Sequence, residues 1–245
     1  METREAVIIV ENLCKAFGDN VVLDHFNLTL YKGENLVVLG KSGSGKSVLI
    51  KCIIGLLRPD SGRIEVLGEN VPELSYSQLD QLRARVGFLF QSNALYDSMT
   101  VRENLEFPLR RHWLKVEQKE VDALVHEVLE SVGLEHTADM MPAELSGGMR
   151  KRIALARTLI LKPAIILYDE PTTGLDPITG MEIIELIKQV QQRYQTSALV
   201  ISHDMKLAQT ASERIAMLIE GKCYATGTYR ELAASTDPNL RAFFD

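Results

Sequence analysis

Hydrophobic residues along this chain occur both as short continuous runs and as stripes at helical spacing. Continuous runs at Val37–Leu39, Ile165–Tyr168 and Ala198–Ile201 predict strands that are buried on both faces. Apolar positions at helical spacing after Ser47 and from Thr179 to Tyr194 predict helices that connect such strands. Together these patterns predict an α/β fold around a parallel sheet.

Two further regions have a different pattern. The alternation at Arg63–Leu67 and the early runs Val7–Val10 and Leu28–Leu30 predict an antiparallel sheet beside the parallel one. The middle of the chain is dominated by helix-type spacing, which is found at Val101–Pro108, Val116–Val132 and Gly148–Leu161. We therefore predict an inserted helical subdomain.

The domain organisation follows from these regions and from the length of 245 residues, which fits one large domain. We predict a single domain over residues 1–245. Its core comprises residues 1–91 and 162–245 and includes the antiparallel part, and the helical subdomain comprises residues 92–161.

Composition and charge exclude several classes of protein. The chain is 46% hydrophobic and 24% charged, which is ordinary for a globular protein and excludes disorder. No apolar run approaches the ~20 residues of a membrane-spanning helix. Three widely spaced cysteines and an N-terminus unlike a signal peptide favour a reducing cytoplasm. A net charge of −6 argues against a protein that mainly coats nucleic acid.

A glycine-rich segment between a predicted strand and a predicted helix matches the phosphate-binding loop pattern in full. Residues 40–47 read Gly-Lys-Ser-Gly-Ser-Gly-Lys-Ser. Glycines let successive N–H groups point at phosphate oxygens, Lys46 reaches the β- and γ-phosphates, and the Ser47 hydroxyl suits Mg²⁺. The expected nucleotide contacts are Gly40, Lys41, Ser42, Gly43, Ser44, Gly45, Lys46, Ser47 and Val48. A plain glycine turn with a solvated lysine is the alternative.

Other polar residues follow apolar runs, where ligands of open α/β sheets collect. Asp169 is expected to orient the metal ion, and Glu170 is expected to polarise the water that attacks the γ-phosphate. His203 is expected to contact the γ-phosphate, so that Glu170, His203 and Lys46 form the catalytic set. Gln91 ends the run Val86–Phe90, and its amide oxygen is suited to ligate the metal or to hold the water. The alternatives are a helix-capping acidic pair and a structural histidine.

A second anion site is predicted at the start of another helix. Ser146 is a suitable N-cap, but Gly147 and Gly148 after it each cost a helix roughly 1 kcal/mol. This cost suggests that a phosphate approaches the backbone there. Because one nucleotide cannot easily bridge both anion sites of one chain, we infer that this site serves the nucleotide of a second copy.

These motifs, in this order, resemble the nucleotide-binding subunit of an ABC transporter over nearly the whole chain. The resemblance implies a P-loop, RecA-like ABC ATPase cassette that binds ATP and Mg²⁺ and forms a head-to-tail dimer. The family's motifs fall on Phe17 for adenine stacking, residues 40–47, Gln91, the signature Leu145–Met149, the Walker B pair Asp169 and Glu170, the D-loop Gly174–Asp176 with Asp176 at the nucleotide, and the switch histidine His203. Ser47, Gln91 and Asp169 are the implied metal ligands.

Three segments are similar to the Mla group of phospholipid-transport ATPases: Gln91–Tyr96, Met141–Met149 and Asp237–Asp245. This similarity implies a membrane-embedded permease pair, an Mce-type lipid-binding protein and a position at the cytoplasmic face of the inner membrane. It also implies phospholipid as cargo. Three alternatives stay open: a soluble ABC ATPase that acts on DNA or ribosomes, a transport motor for another cargo, and an ATP-binding regulator without turnover.

Overall fold

The computed structural model describes residues 4–112 and 117–244. Its strands are β1 (Ala6–Phe17), β2 (Asn20–Tyr31), β3 (Asn35–Leu39), β4 (Ser61–Val66), β5 (Glu69–Asn70), β6 (Val86–Leu89), β7 (Ile165–Asp169), β8 (Ser197–Ser202), β9 (Arg214–Ile219) and β10 (Lys222–Gly227). Its helices are α1 (Lys46–Ile53), α2 (Tyr76–Ala84), α3 (Val101–His112), α4 (Gln118–Ser131), α5 (Gly147–Leu159), α6 (Pro177–Tyr194), α7 (Met205–Ala211), α8 (Tyr229–Ala233) and α9 (Pro238–Phe244).

The chain divides into two compact units. The first unit contains Met1–Leu79 and Thr196–Asp245, and the second contains Asp80–Gln195. The division into a core of residues 1–91 and 162–245 and a helical subdomain of residues 92–161 stays a prediction.

The first unit contains an antiparallel sheet and a group of mainly parallel strands. In the antiparallel sheet the order is β2-β1-β4-β5. In the other group β3 lies between β8 and β9 and is parallel to both, while β10 is antiparallel to β9. All five residues of β3 are buried, which explains why its sequence is apolar without alternation.

The second unit contains a parallel strand pair and a group of helices. Strand β6 pairs with β7 from Val86↔Ile165 to Leu89↔Tyr168. Helix α5 contacts β6 and the helices α3, α4 and α6. The apolar face predicted for α4 is buried at Leu124, Val125, Val128 and Leu129. The predicted fold class, an α/β protein with parallel, antiparallel and helical parts, is confirmed.

Helix α1 is shorter than the apolar spacing predicts. It ends at Ile53, although Leu56 and Leu57 continue the helical spacing. The reason is Gly55, which adopts a φ of 69°. The Gly55 N–H bonds to Cys52 O at 3.1 Å and the Leu56 N–H to Lys51 O at 2.8 Å, which is a Schellman ending.

Helix α3 is longer than predicted, because it passes through Pro108 and continues to His112. An ion pair between Glu106 Oε2 and Arg110 Nη2 at 2.6 Å supports the turn that contains the proline. Val116, where the next predicted helix begins, lies outside the described residues, as do residues 1–3 and Asp245.

Across residues 4–112 and 117–244, none of the helices combines the length and the apolar character that crossing a bilayer requires.

The start of β4 gives a test of the antiparallel sheet. Gly62 has a φ of 98°, and a Cβ there would lie 2.5 Å from Asn12 O and 2.7 Å from Leu13 Cα. We expect Gly62→Ala to lower the free energy of unfolding by about 2 kcal/mol or more, because strain and backbone overlap add together. Urea denaturation measures this loss as a lower midpoint at unchanged slope.

Gly68→Ala is the matched control. Gly68 has a φ of 82°, but a Cβ there meets nothing within 4 Å. It should therefore cost only about 1 kcal/mol, from the left-handed backbone alone. Equal losses in both variants would contradict the close approach at Gly62.

Candidate functional site

The predicted phosphate loop connects the buried strand β3 to helix α1 in the first unit. Leu39 of β3 pairs with Ser202 of β8, so Gly40 and His203 leave the parallel strands at the same edge. His203 is exposed, and Asp204 after it caps α7 by accepting hydrogen bonds from the N–H groups of Lys206 and Leu207. The structure thus places the loop and the histidine beside each other within one unit.

Two glycines of the loop are required by close neighbours. A Cβ at Gly40 would lie 2.6 Å from Ser44 Oγ and 2.8 Å from Leu218 O. Gly45 has a φ of 102°, and a Cβ there would lie 2.8 Å from Val22 Cγ1. The loop can therefore curl tightly against β9 and β2 only because these positions lack side chains.

The Lys46 side chain bonds back to the start of its own loop. The side chain is buried, and its Nζ donates to Gly40 O at 2.9 Å and to Lys41 O at 3.0 Å. Ser44 Oγ is also buried and has no hydrogen-bond partner among the described residues. An ammonium group, an unused hydroxyl and the positive end of α1 together fit a phosphate group.

Phe17 lies at the end of β1, opposite Asn20 of β2. Its side chain is 51% exposed. The Lys15 ammonium lies 5.4 Å from the ring centroid and is held by Asp60 at 2.6 Å. A half-exposed ring on the strand pair that also packs against Gly45 is suited to stack on a flat base.

The predicted acidic pair lies at the end of β7 in the second unit. Asp169 is the last residue of the strand, and both Asp169 and Glu170 are buried. Glu170 adopts a φ of 48°, which is unusual for a residue with a Cβ, and its Oε2 accepts a hydrogen bond from Thr173 Oγ1 at 3.4 Å. Strained backbone of this kind clusters at functional sites.

Gln91 comes two residues after β6, and its carbonyl oxygen accepts a hydrogen bond from Lys151 Nζ at 2.9 Å. Lys151 is only 2% exposed, and burial lowers the pKa of its ammonium to about 8, although the Asp169 carboxylate partly offsets this effect. The structure therefore brings Gln91 and Asp169 towards the same lysine. Sequence reasoning missed Lys151, although it shares a helical face with the apolar Leu155 and Leu159.

The segment after Gln91 is held by side chains rather than by regular structure. Asn104 of α3 is fully buried, and its Oδ1 accepts the Tyr96 N–H at 2.8 Å. Its Nδ2 lies 3.0 Å from Tyr96 O, 3.1 Å from Met99 O and 3.0 Å from Thr100 O. Sequence reasoning missed this residue too, because these bonds give no periodic signal.

The predicted second anion site is the N-terminus of α5. Ser146 caps the helix, with its Oγ accepting the Met149 N–H at 3.2 Å. A Cβ at Gly147 would approach only Leu175, at 4.0 Å, whereas one at Gly148 would lie 2.6 Å from Thr179 Cγ2. Close packing on α6 therefore explains Gly148 without a ligand, and the cost of Gly147 has no such explanation.

Asp176 caps α6 and is tied to the same threonine. Its carboxylate accepts the N–H groups of Ile178 and Thr179 at 3.0 and 3.1 Å and the Thr179 hydroxyl at 2.6 Å. These hydrogen bonds, chiefly those from Thr179, lower the pKa of Asp176. Thr179 thus joins the predicted D-loop to the predicted signature.

Comparisons with known proteins identify the family and the fold. The ABC transporter family matches residues 23–173. The probable ribonucleotide transport ATP-binding protein mkl of Mycobacterium tuberculosis is 40% identical over 97% of the chain, and the chain spans 66% of that protein's length. The intermembrane phospholipid transport system ATP-binding protein MlaF of Escherichia coli is 38% identical over 93% of this chain and 84% of its own length.

Among solved structures, the dimeric post-hydrolysis state of the ATP-binding cassette MJ0796 bound to ADP and Pi has a TM-score of 0.82 and 32% identity. That similarity covers 91% of this chain and 99% of the other. The fold and the site therefore define an ABC ATPase cassette. The chain belongs to the ABC transporter family.

The contact between Gly148 and Thr179 gives a test of the joined motifs. We expect Gly148→Ala to lower the free energy of unfolding by about 1 kcal/mol, because overpacking against Thr179 Cγ2 exceeds the helix propensity gained. Thr179→Ser removes that methyl group and keeps the hydroxyl that bonds Asp176. The double variant should be at least about 1 kcal/mol more stable than the sum of the single changes predicts. Additive effects in urea denaturation would show that the two residues do not touch.

Proposed function

We propose that this chain is the ATP-binding and ATP-hydrolysing subunit of a membrane transporter whose cargo is phospholipid moved between bacterial membranes. The observation that carries the proposal is the match to MlaF, which is 38% identical and extends over 93% of this chain. The folded loop at Lys46 and the buried strand end at Asp169 support this proposal.

Nucleotide binding in this proposal is assigned to the phosphate loop, one aromatic ring and three metal ligands. Residues 40–48 hold the phosphates, and the Phe17 ring stacks on adenine. The unpartnered Ser44 hydroxyl and the buried Lys46 ammonium support an anion at the loop. Ser47, Gln91 and Asp169 would hold Mg²⁺, whose charge neutralises phosphate oxygens as the terminal bond breaks.

Hydrolysis in this proposal is assigned to three side chains. Glu170 accepts a proton from the attacking water while the oxygen of that water forms a bond to the γ-phosphorus. The bond between the γ-phosphorus and the bridging oxygen breaks, and ADP leaves with that oxygen. His203, which follows β8 at the edge where the loop begins, contacts the γ-phosphate. Lys46 donates hydrogen bonds to the phosphate oxygens and stabilises them.

We further propose that two copies assemble head to tail, so that Ser146, Gly147, Gly148 and Asp176 of one copy contact the nucleotide of the other. The open backbone at Gly147 supports this role. The structural neighbour MJ0796 is itself described as dimeric and bound to ADP and Pi.

The proposed complex also contains a membrane-embedded permease pair and an Mce-type lipid-binding protein, with this chain at the cytoplasmic face of the inner membrane. Tyr96, which is 43% exposed beside Phe107 on α3, supplies an aromatic contact for the permease. The name of the mycobacterial relative suggests a second candidate cargo, a ribonucleotide.

The role of Glu170 is tested by substitution. We expect Glu170→Gln to retain ATP binding, measured by calorimetry, while turnover of the assembled complex falls by about 10²-fold or more, because only the general base is removed. Glu185→Gln is the control, since Glu185 makes an exposed ion pair with Lys188. Near-normal turnover of Glu170→Gln would remove Glu170 from the catalytic set.

The cargo is tested on the complex purified in gentle detergent from its native membranes. We expect mass spectrometry to find a multi-pass permease, an Mce-type protein and phospholipid, and we expect phospholipid to stimulate ATP hydrolysis. Stimulation by ribonucleotides without bound lipid would instead support the second cargo. Recovery of ribosomes or DNA without a membrane protein would overturn the transporter proposal.

A further inference from the structure

Helix α5 holds the loop that carries Gln91 through two cationic side chains. Lys151 Nζ donates to Gln91 O at 2.9 Å. Six residues further along the helix, Arg157 donates to Ala94 O at 2.8 Å and to Asn93 O at 3.1 Å. We call residues 91–94 the Gln91 loop and these two side chains the α5 clamp.

The shape of the Gln91 loop depends on this clamp. Asn93 and Ala94 adopt φ values of 65° and 53°, which are unfavourable for residues with a Cβ. The two carbonyl oxygens that accept hydrogen bonds from the Arg157 guanidinium belong to these two residues. The clamp therefore stabilises a backbone conformation that the local sequence does not favour by itself.

Lys151 is poorly suited to a purely structural role. Its ammonium is almost completely removed from water, and burying a charge costs more than filling the same space with an apolar side chain. What the charge gains is one carbonyl oxygen of the Gln91 loop and the nearby Asp169 carboxylate. Lys151 therefore interacts with both Gln91 and Asp169, which are two of the proposed metal ligands.

The same helix begins at the proposed second anion site. Ser146 caps α5, and Lys151 lies five residues later, which corresponds to about 7.5 Å along the helix axis. One continuous helix thus connects the cap to Lys151 and Arg157, and these side chains connect the helix to the Gln91 loop.

We propose that Lys151 and Arg157 are positioning residues, which hold the Gln91 loop to α5 so that the signature end of the helix and Gln91 move as one body. This inference rests on the proposed function for the roles of Gln91, Asp169 and Ser146. The attachment itself is a property of the folded chain without nucleotide.

The first experiment measures amide hydrogen exchange of the full chain without nucleotide. In Lys151→Met, exchange within residues 91–96 should rise by about tenfold or more, because a charge-assisted hydrogen bond to the loop is lost. The urea midpoint should fall only modestly, since methionine fills the same buried space and the loss is concentrated in the bond to Gln91 O. Lys151→Gln, which keeps a donor, should restore part of the protection.

The matched control is Arg152→Met on the same helix. Arg152 pairs with Glu182 at 2.6 Å and bonds to Val132 O, so it does not touch the Gln91 loop. It should leave exchange of residues 91–96 unchanged. Exchange that rises throughout α5 in Lys151→Met, or a loop that stays protected, would overturn the clamp.

The second experiment uses the complex with its permease. Lys151→Met and Arg157→Met should each raise the Mg²⁺ concentration for half-maximal ATP hydrolysis and lower kcat, with little change in KM for ATP at saturating Mg²⁺. Equal changes in KM and kcat, or an unaltered Mg²⁺ requirement beside faster loop exchange, would overturn the positioning role. A failure of the proposed function is distinguishable, because it would show in Glu170→Gln and leave the exchange result intact.

Discussion

The first unit depends on one constraint: the loop after the fully buried strand β3 has to lead directly into helix α1 within residues 40–46. The chain has to reverse direction while keeping an ammonium group buried at its centre. Lys46 is held there by carbonyl oxygens of its own loop, and glycines at 40 and 45 allow β9 and β2 to lie against the backbone. These contacts fix the strands around the loop and the path of the loop backbone together.

The sequence predicts best where one local pattern has one physical meaning. Strands β3, β7 and β8 are buried at every residue, and each appears as a continuous apolar run. The fold class and the family are confirmed, and the roles of the individual site residues stay predictions. The end of α1 could not be predicted from spacing, because Leu56 and Leu57 continue the helical pattern while the backbone of Gly55 ends the helix.

The site is less predictable where distant residues meet. Lys151, Arg157 and Asn104 act on main-chain oxygens, and the carbonyls that Lys151 and Arg157 bind lie about 60 residues away in the sequence. Such bonds impose no residue type on the accepting segment, so neither spacing nor composition indicates them. The only local sign of Lys151 is a charge on an otherwise apolar helix face, and that sign is equally typical of a side chain whose end reaches water.

The Gln91 loop also shows how shape and recognition can be separated. Its conformation is maintained by bonds to the backbone of residues 91, 93 and 94, and Asn104 likewise binds the backbone of Tyr96, Met99 and Thr100. Because main-chain atoms are common to all amino acids, substitutions at positions such as Ser92 and Leu95 leave the supporting bonds in place. A lineage can therefore alter the side chains that this surface shows to a neighbouring protein while the path of the backbone stays the same.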